Sequence, residues 1–170
     1  MVQLRVVFDT NVYGFLLKEL DQLELEKAIL SDKDFLVFGF QPVRKELRAI
    51  QKDKDAARKA RILLLGLYDR IVKDRLLENS NKIMMLAKEY FKQYRGAKGS
   101  KSWDEIGVDF LIVACATIKN MDVVCSGDER TLMCDRAQLI YAKVNILAGY
   151  RGPNFWPYTF MLNRFRKKLK

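Results

Sequence analysis

Four acidic side chains occur where carboxylates can do chemistry. Asp9 directly follows the largely apolar run 5–8, and Asp109 opens another apolar run. Glu46 lies within a helical pattern that begins at a proline, and Asp128 is the last residue of a short Ser-Gly-Asp turn. The chain has no histidine, which excludes His-based triads and zinc sites with imidazole ligands. If the protein is an enzyme, carboxylates must do the work, most naturally by holding a hard divalent cation.

Asp109 is a charged residue among apolar neighbours in the sequence. Burying an unpaired charge costs several kcal/mol. Asp109 therefore needs a partner, a metal ion or a position at a rim. Two carboxylates about 4 Å apart repel by roughly 4 kcal/mol at an effective dielectric near 20, and a divalent cation turns that repulsion into binding. Ligands that are all oxygen favour Mg²⁺ or Mn²⁺, which can activate water and stabilise charge on a phosphodiester.

Each acidic residue also has a purely structural interpretation. Asp9, Asp104 and Asp128 are good helix N-caps, and Asn11 could hydrogen-bond the backbone of a turn. Glu46 alone is typical of a solvated helix surface. The functional hypothesis depends on the acidic residues meeting at one place.

The elements that would bring them together follow from hydrophobic periodicity and turn residues. The predicted strands are 4–8, 35–40, 123–126 and 139–147. Helical patterns follow Asp9, begin at Pro42, fill most of 55–94, and recur at 104–118 and 129–135. Strands that alternate with helices predict one α/β domain with a mostly parallel sheet and helices on both faces. The carboxyl ends of neighbouring parallel strands form one crevice, where ligands bind.

Composition restricts the class of protein further. The 170 residues are 49% hydrophobic and 31% charged, a balance typical of one soluble domain. The three cysteines have no CxxC spacing, which predicts free thiols in a reducing compartment. No secretory segment and no run of membrane-spanning length is seen, so we expect a cytoplasmic protein without a membrane partner.

The formal net charge of +10 favours a polyanionic partner, although a lysine-rich solvated surface is the plain alternative. Basic residues alternate with aromatic ones between positions 88 and 103, as on surfaces that bind single-stranded RNA. An amphipathic helix with aromatic residues in the core explains the same pattern. The candidate nucleic-acid-binding residues are Lys92, Arg95, Lys98 and Lys101.

Taken in order, the acidic motifs resemble those of the PIN domain family. These motifs are apolar-Asp9-Thr10-Asn11, Val43-x-x-Glu46-Leu47, Asp109 before an apolar, alanine-containing helix, and Val124-x-Ser126-Gly127-Asp128. The resemblance covers about residues 2–147 and implies a three-layer α/β/α fold around a mostly parallel sheet. It also implies a nuclease with one or two Mg²⁺ or Mn²⁺ ions. Many small microbial members are VapC-type toxins, endoribonucleases that are silenced by a cognate antitoxin, and many form homodimers.

Carried onto this chain, the resemblance assigns metal-binding and catalytic roles to Asp9, Glu46, Asp109 and Asp128. Asn11 and Ser126 match supporting positions that orient carboxylates or water. Asp104 precedes Asp109 by five residues, about 140° around a helix, so it supports the site only from a frayed helix start. We predict a nuclease domain at residues 1–149 and a basic, helical extension at 150–170.

The predicted function is therefore metal-dependent endoribonuclease activity, with RNA, a cognate antitoxin and a second copy of the chain as partners. The main alternative is a PIN-like module that binds nucleic acid without cutting it. A phosphatase with an aspartyl nucleophile is a weaker alternative, because Asn11 occupies the position where the second aspartate is needed.

Overall fold

A five-stranded, all-parallel sheet forms the centre of the computed structural model, which describes residues 3–50 and 55–169. The strands are β1 (Leu4–Phe8), β2 (Phe35–Phe40), β3 (Leu76–Leu77), β4 (Val123–Ser126) and β5 (Asn154–Pro157). Their order in the sheet is β3-β2-β1-β4-β5. The strands β1 and β4 are mostly buried, because parallel strands are covered on both faces.

Helices connect the strands and cover both faces of the sheet. They are α1 (Thr10–Lys18), α2 (Gln22–Ser31), α3 (Gln41–Ala49), α4 (Asp55–Val72), α5 (Asn81–Gly96), α6 (Trp103–Ile118), α7 (Asp135–Ala148) and α8 (Tyr158–Arg166). Consecutive residues of β5 show the two faces: Phe155 stacks on Tyr141 of α7, and Trp156 packs on Phe160 of α8. The predicted three-layer α/β/α fold with a single domain is confirmed.

The topology brings the predicted motifs to one edge of the sheet. The helices α1 and α3 begin where β1 and β2 end, and the turn after β4 lies at the same edge, since all the strands are parallel. The helix α6 leads into the opposite end of β4, so its N-terminal half also lies near this edge. Pro42 lies in the first turn of α3, where its missing N–H leaves no hydrogen bond unmade.

Two predicted elements are wrong. Residues 139–147 belong to the helix α7, not to a strand, and Ala137, Tyr141 and Val144 are buried at helical spacing. Aromatic and β-branched residues at these positions imitate a strand composition, but their period is that of a helix. Residues 129–134 form turns, and the helix begins only at Asp135. The short edge strands β3 and β5 were not predicted.

The C-terminal segment is part of the layered structure. Its strand β5 pairs with β4, and α8 places Phe165 in the core against Phe35. Arg166 donates hydrogen bonds to both Glu19 and Asp21, which ties α8 to the connection between α1 and α2. Within the described residues, no helix is both long and apolar enough to cross a membrane. All three cysteines are free.

Candidate active site

Asp9 is the most firmly held of the four acidic residues. It follows β1 directly, caps α1 and is only 5% exposed. Its Oδ1 accepts a hydrogen bond from the Thr10 backbone N–H at 2.6 Å, and its Oδ2 accepts from Asn11 Nδ2 at 2.5 Å and Ser126 Oγ at 2.6 Å. Both predicted supporting residues therefore contact Asp9. They fix its carboxylate in one orientation.

The same polar groups join the end of β1 to the turn after β4. The Gly127 N–H donates to Asn11 Oδ1 at 2.9 Å, and the Asp128 N–H donates to Ser126 Oγ at 2.9 Å. Asp128 Oδ1 in turn accepts from the backbone N–H groups of Arg130 and Thr131 at 3.0 and 2.9 Å. Asp9 and Asp128 thus belong to one continuous hydrogen-bond network.

Glu46 approaches from α3 and is exposed. The Thr10 hydroxyl donates a hydrogen bond to its Oε2. Arg44, on the same helix, makes two hydrogen bonds of 3.0 Å to Asp69 of α4, which anchors α3 from the other side. Because Thr10 follows Asp9 directly, Glu46 is held beside the end of β1.

Asp109 completes the cluster from α6. Burial is the largest cause that raises its pKa to about 7, and repulsion by Asp9, Asp128 and Glu46 adds to the effect. Burial also raises the pKa of Asp9 to about 6, although its hydrogen bonds with Ser126 and the Thr10 N–H oppose this rise. All four predicted acidic residues therefore lie near enough for their charges to interact.

The chemistry of these donors fits a hard divalent cation, because every side chain that faces the cluster offers oxygen. The arrangement is not preassembled, however. Within residues 3–50 and 55–169, no three acidic or thiol side chains lie close enough together to hold a metal ion. The carboxylates of Glu46 and Asp128 instead accept hydrogen bonds from Thr10 and Thr131.

Sequence reasoning missed both threonines as members of the site. The hydroxyl of Thr131 donates to Asp128 Oδ2, and its proximity to Asp109 also opposes the rise in the pKa of Asp109. The signal was an aspartate followed three residues later by threonine, a spacing common where a side chain closes a turn. Thr10 was part of the quoted motif, but nothing in the sequence showed that it would reach Glu46.

Asp104 lies in the first turn of α6 and is exposed. Ser102, not Asp104, caps this helix, and Glu105 accepts hydrogen bonds from the Ser102 N–H and hydroxyl at 2.7 and 2.8 Å. Asp104 is also absent from the charges that shift the pKa values of Asp9 and Asp109. A supporting role for Asp104 stays a prediction without a contact behind it.

The aromatic residues of the basic segment 88–103 pack against the hydrophobic core. Phe91, Tyr94 and Trp103 are partly buried against it, and Lys88 Nζ lies 3.4 Å from the centre of the Trp103 ring. These rings are therefore not arranged as an open stacking surface. The alternative of an amphipathic helix explains them better.

The predicted basic contacts differ in how freely they can reach a phosphate. Arg95 donates to the carbonyl oxygens of Gly99 and Ser100 at 2.9 and 3.3 Å, so it organises the loop after α5. Lys92 is exposed and lies 3.8 Å from Glu89. Lys98 is exposed, and Lys101 is partly exposed. Nucleic-acid contact stays a prediction for all four, with Lys98 and Lys101 the best placed.

Comparison with known proteins supports the fold through structure alone. No protein-family model matches the chain, and no curated protein matches it. The structure is similar to VapBC-1 from nontypeable Haemophilus influenzae (TM-score 0.58, 12% identity), covering 92% of this chain and 99% of that one. It is also similar to DNA-bound VapBC from Salmonella typhimurium (TM-score 0.60, 13% identity), covering 92% of this chain and 99% of that one. FitAB bound to an IR36 DNA fragment is similar as well (TM-score 0.54, 12% identity), covering 90% of this chain and 94% of that one. At these identities the likeness shows a shared fold, and that fold is the three-layer α/β/α arrangement that the ordered motifs predict.

Proposed function

We propose that this protein is a Mg²⁺- or Mn²⁺-dependent endoribonuclease and the toxin of a toxin–antitoxin pair. The observation that carries the proposal is the cluster of four carboxylates at the carboxyl edge of the sheet, two of them with raised pKa values. The likeness to VapBC and FitAB structures supports it, because the motifs independently resemble those of VapC-type toxins.

In this proposal, Asp9, Glu46, Asp109 and Asp128 hold the cation. When bound, it would activate water and stabilise negative charge on the phosphodiester. The chain's own contribution begins with Asp9, whose three hydrogen-bond donors keep one carboxylate orientation ready. Asp109 supplies a second carboxylate from a partly buried position, where solvent competes less for its oxygens.

The basic loop supplies contacts for RNA. Lys98 and Lys101 precede α6, whose N-terminal half lies at the same edge of the sheet as the acidic cluster. Lysine side chains there neutralise phosphates and release counterions, which favours binding without sequence recognition. Neither lysine can ligate a cation, so their role is to position RNA.

The direct test is cleavage of a single-stranded RNA by the full chain with Mg²⁺, with Mn²⁺ and with EDTA. We expect cleavage with either cation and none with EDTA. Asp9→Asn and Asp109→Asn should each abolish it. Asp74→Asn is the matched control, because it removes the same charge from a side chain that is 93% exposed and far along the sequence from the cluster. Equal, EDTA-sensitive cleavage by the wild type, the Asp74 variant and the Asp109 variant would refute the assignment.

A non-cleaving nucleic-acid-binding module is the second candidate. It is favoured by the two threonine hydrogen bonds, which show acidic groups already satisfied without a cation. In that case the wild type would bind RNA equally with and without EDTA and would leave it uncut under all three conditions. Tight, salt-sensitive binding without cleavage would decide for this alternative.

The toxin hypothesis has its own test in growing cells. Induced expression of the wild type should arrest growth, and Asp109→Asn should not. Co-expression of a small reading frame that adjoins the gene should restore growth. Equal arrest by both proteins would show toxicity that does not depend on the acidic cluster.

A further inference from the structure

The side chain of Phe15, on α1, lies against the turn that leads from β4 to Asp128. It packs directly on Gly127, because a Cβ at that position would overlap the Phe15 ring. The backbone of Gly127 is not left-handed, so the close approach of the ring, and not the φ angle, is what favours glycine here. The ring therefore limits how far the turn can move towards α1.

Tyr158 packs against the Phe15 ring and restricts its movement. The centres of the two rings are 5.1 Å apart. Tyr158 is the first residue of α8, which begins at the same edge of the sheet as the acidic cluster because β5 is parallel to β4. Its hydroxyl donates a hydrogen bond of 2.9 Å to Glu19, which also accepts one of 2.8 Å from Arg166. The Tyr158 ring is buried and its hydroxyl is bonded, so it cannot leave Phe15 without losing both interactions.

The turn on which this ring packs joins Asp128 to the rest of the acidic cluster. The Gly127 N–H donates to Asn11 Oδ1 at 2.9 Å. The hydroxyl of Ser126 donates to Asp9 at 2.6 Å and accepts from the Asp128 N–H at 2.9 Å. Movement of the turn would therefore disturb the hydrogen bonds that fix Asp9 and would displace the Asp128 carboxylate.

Burial alone does not account for a phenylalanine at position 15. Its side chain is 39% exposed, so it gains only part of the free energy that a fully buried ring would contribute. Phenylalanine also has no group that can bind a cation or transfer a proton. Any effect of Phe15 on the acidic cluster must therefore pass through the turn that it contacts.

We propose that Phe15 is a positioning residue for the candidate active site: supported by Tyr158, it holds the turn 126–128 so that Asp128 stays beside Asp9. The C-terminal helix α8 thereby supports the site, since Tyr158 joins it to Phe15. The effect on the turn is independent of any metal ion. Only its consequence for cation binding rests on the proposed function.

Amide proton exchange with water, measured by NMR on the ¹⁵N-labelled full chain in EDTA, tests the proposal because it reports local opening residue by residue. We expect Phe15→Ala to speed exchange of the Asp128 N–H about tenfold and to leave the amides of β1 unchanged. Phe160→Ala is the matched control, because it truncates a phenylalanine that is 53% exposed on α8 and packs on Trp156. It should change the Asp128 exchange rate by less than about twofold. Unchanged exchange in the Phe15 variant, or an equal effect of the control, would overturn the proposal.

A double-mutant cycle tests the contact between the ring and the turn. Gly127→Ala adds a methyl group where the Phe15 ring lies, and it should speed Asp128 exchange about tenfold after correction for the intrinsic rate. In the Phe15→Ala background the space is free, so the same change should add less than about threefold. Equal effects in the two backgrounds would show that the ring does not hold the turn.

The support from α8 is tested separately. Tyr158→Leu keeps an apolar side chain at the start of α8 but removes the ring that packs on Phe15. It should speed Asp128 exchange about threefold or more, with the amides of β1 again unchanged. Unchanged Asp128 exchange would refute the part of the proposal that assigns this role to Tyr158.

Cation binding distinguishes this proposal from the proposed function. Titration of the full chain with Mn²⁺, followed by the electron paramagnetic resonance signal of the free ion, should show about tenfold weaker binding in Phe15→Ala and no change in Phe160→Ala. A wild type that binds no Mn²⁺ would contradict the proposed function, and the exchange rates would still decide the role of Phe15. Equal Mn²⁺ affinity in the wild type and Phe15→Ala would refute the positioning role.

Discussion

Replacing Asp109 with asparagine should make the metal-free protein more stable, and increasingly so as the pH rises. The pKa of this carboxyl is raised from 3.8 to about 7, chiefly by burial and then by repulsion from the neighbouring carboxylates. Between these values the folded protein keeps a proton that the unfolded chain has released. The free energy of unfolding therefore falls as the pH rises through this window, and the loss is complete above pH 7.

The size of the effect follows from the shift. Each pKa unit corresponds to about 1.4 kcal/mol, so the fully ionised form costs up to about 4 kcal/mol at pH 8. At pH 5 the cost is about 2 kcal/mol. Asparagine has nearly the same shape and does not ionise, so Asp109→Asn should regain most of this. For a chain of this length, 2–4 kcal/mol corresponds to a rise in Tm of roughly 4–16 °C.

Urea unfolding in EDTA, followed by circular dichroism at pH 5 and pH 8, measures the difference. We expect the gain from Asp109→Asn to be about 2–3 kcal/mol larger at pH 8 than at pH 5. Asp74→Asn, the exposed control, should change the free energy of unfolding by less than about 0.5 kcal/mol at either pH. An equal gain at both pH values, or a less stable Asp109 variant at pH 8, would show that burial and repulsion do not act on this group as argued.

Three further outcomes can be checked. Mg²⁺ or Mn²⁺ should raise the Tm of the wild type, because a ligand that binds only the folded state stabilises it. An equal rise in the Asp9→Asn, Asp109→Asn double variant would show that the ion binds elsewhere. Thr131→Val should lower the free energy of unfolding in EDTA by about 1–3 kcal/mol, because it removes a hydrogen bond to a carboxylate. Thr131→Ser keeps the hydroxyl and should keep most of the wild-type stability. Equal losses in the two variants would show that the hydrogen bond is not the cause. Replacing Lys98 and Lys101 with alanine should reduce the salt slope of RNA binding by about two, and an unchanged slope would exclude the loop from the interface.

The sequence predicted the parts of the fold that depend on strong local patterns. The strands β1 and β2 matched their predicted bounds, because a largely apolar run that ends at a turn or a helix start has few alternatives. The strand at 139–147 was wrong, since the choice between helix and strand there depended on which side chains the sheet would cover. The strand β5 was missed because it forms through long-range pairing with β4, and four residues carry too little local pattern to predict such a contact.

The candidate site was predictable as a set of residues but not as an arrangement. Parallel topology alone brings Asp9 and Asp128 to one edge, so the four acidic residues could be expected together. The hydrogen bonds of Glu46 and Asp128 could not be expected, because each comes from a threonine hydroxyl whose position depends on the folded backbone. The same holds for Arg95, which looked available to RNA but donates to its own loop.

Helix capping explains some of these acidic residues but not the cluster. Asp9 accepts a hydrogen bond from the first turn of α1, and Asp128 accepts two from its own turn, so hydrogen bonds to backbone N–H groups account for part of their placement, although burial still raises the pKa of Asp9 to about 6. Asp109 is different, because it lies beyond the first turn of α6, where backbone N–H groups are already used within the helix. It gains nothing from capping, and because its pKa is raised to about 7 we expect it to destabilise the metal-free fold above that pH. This unfavourable carboxylate beside three others is the feature on which the proposed cation site depends, and Asp109→Asn is therefore its sharpest test.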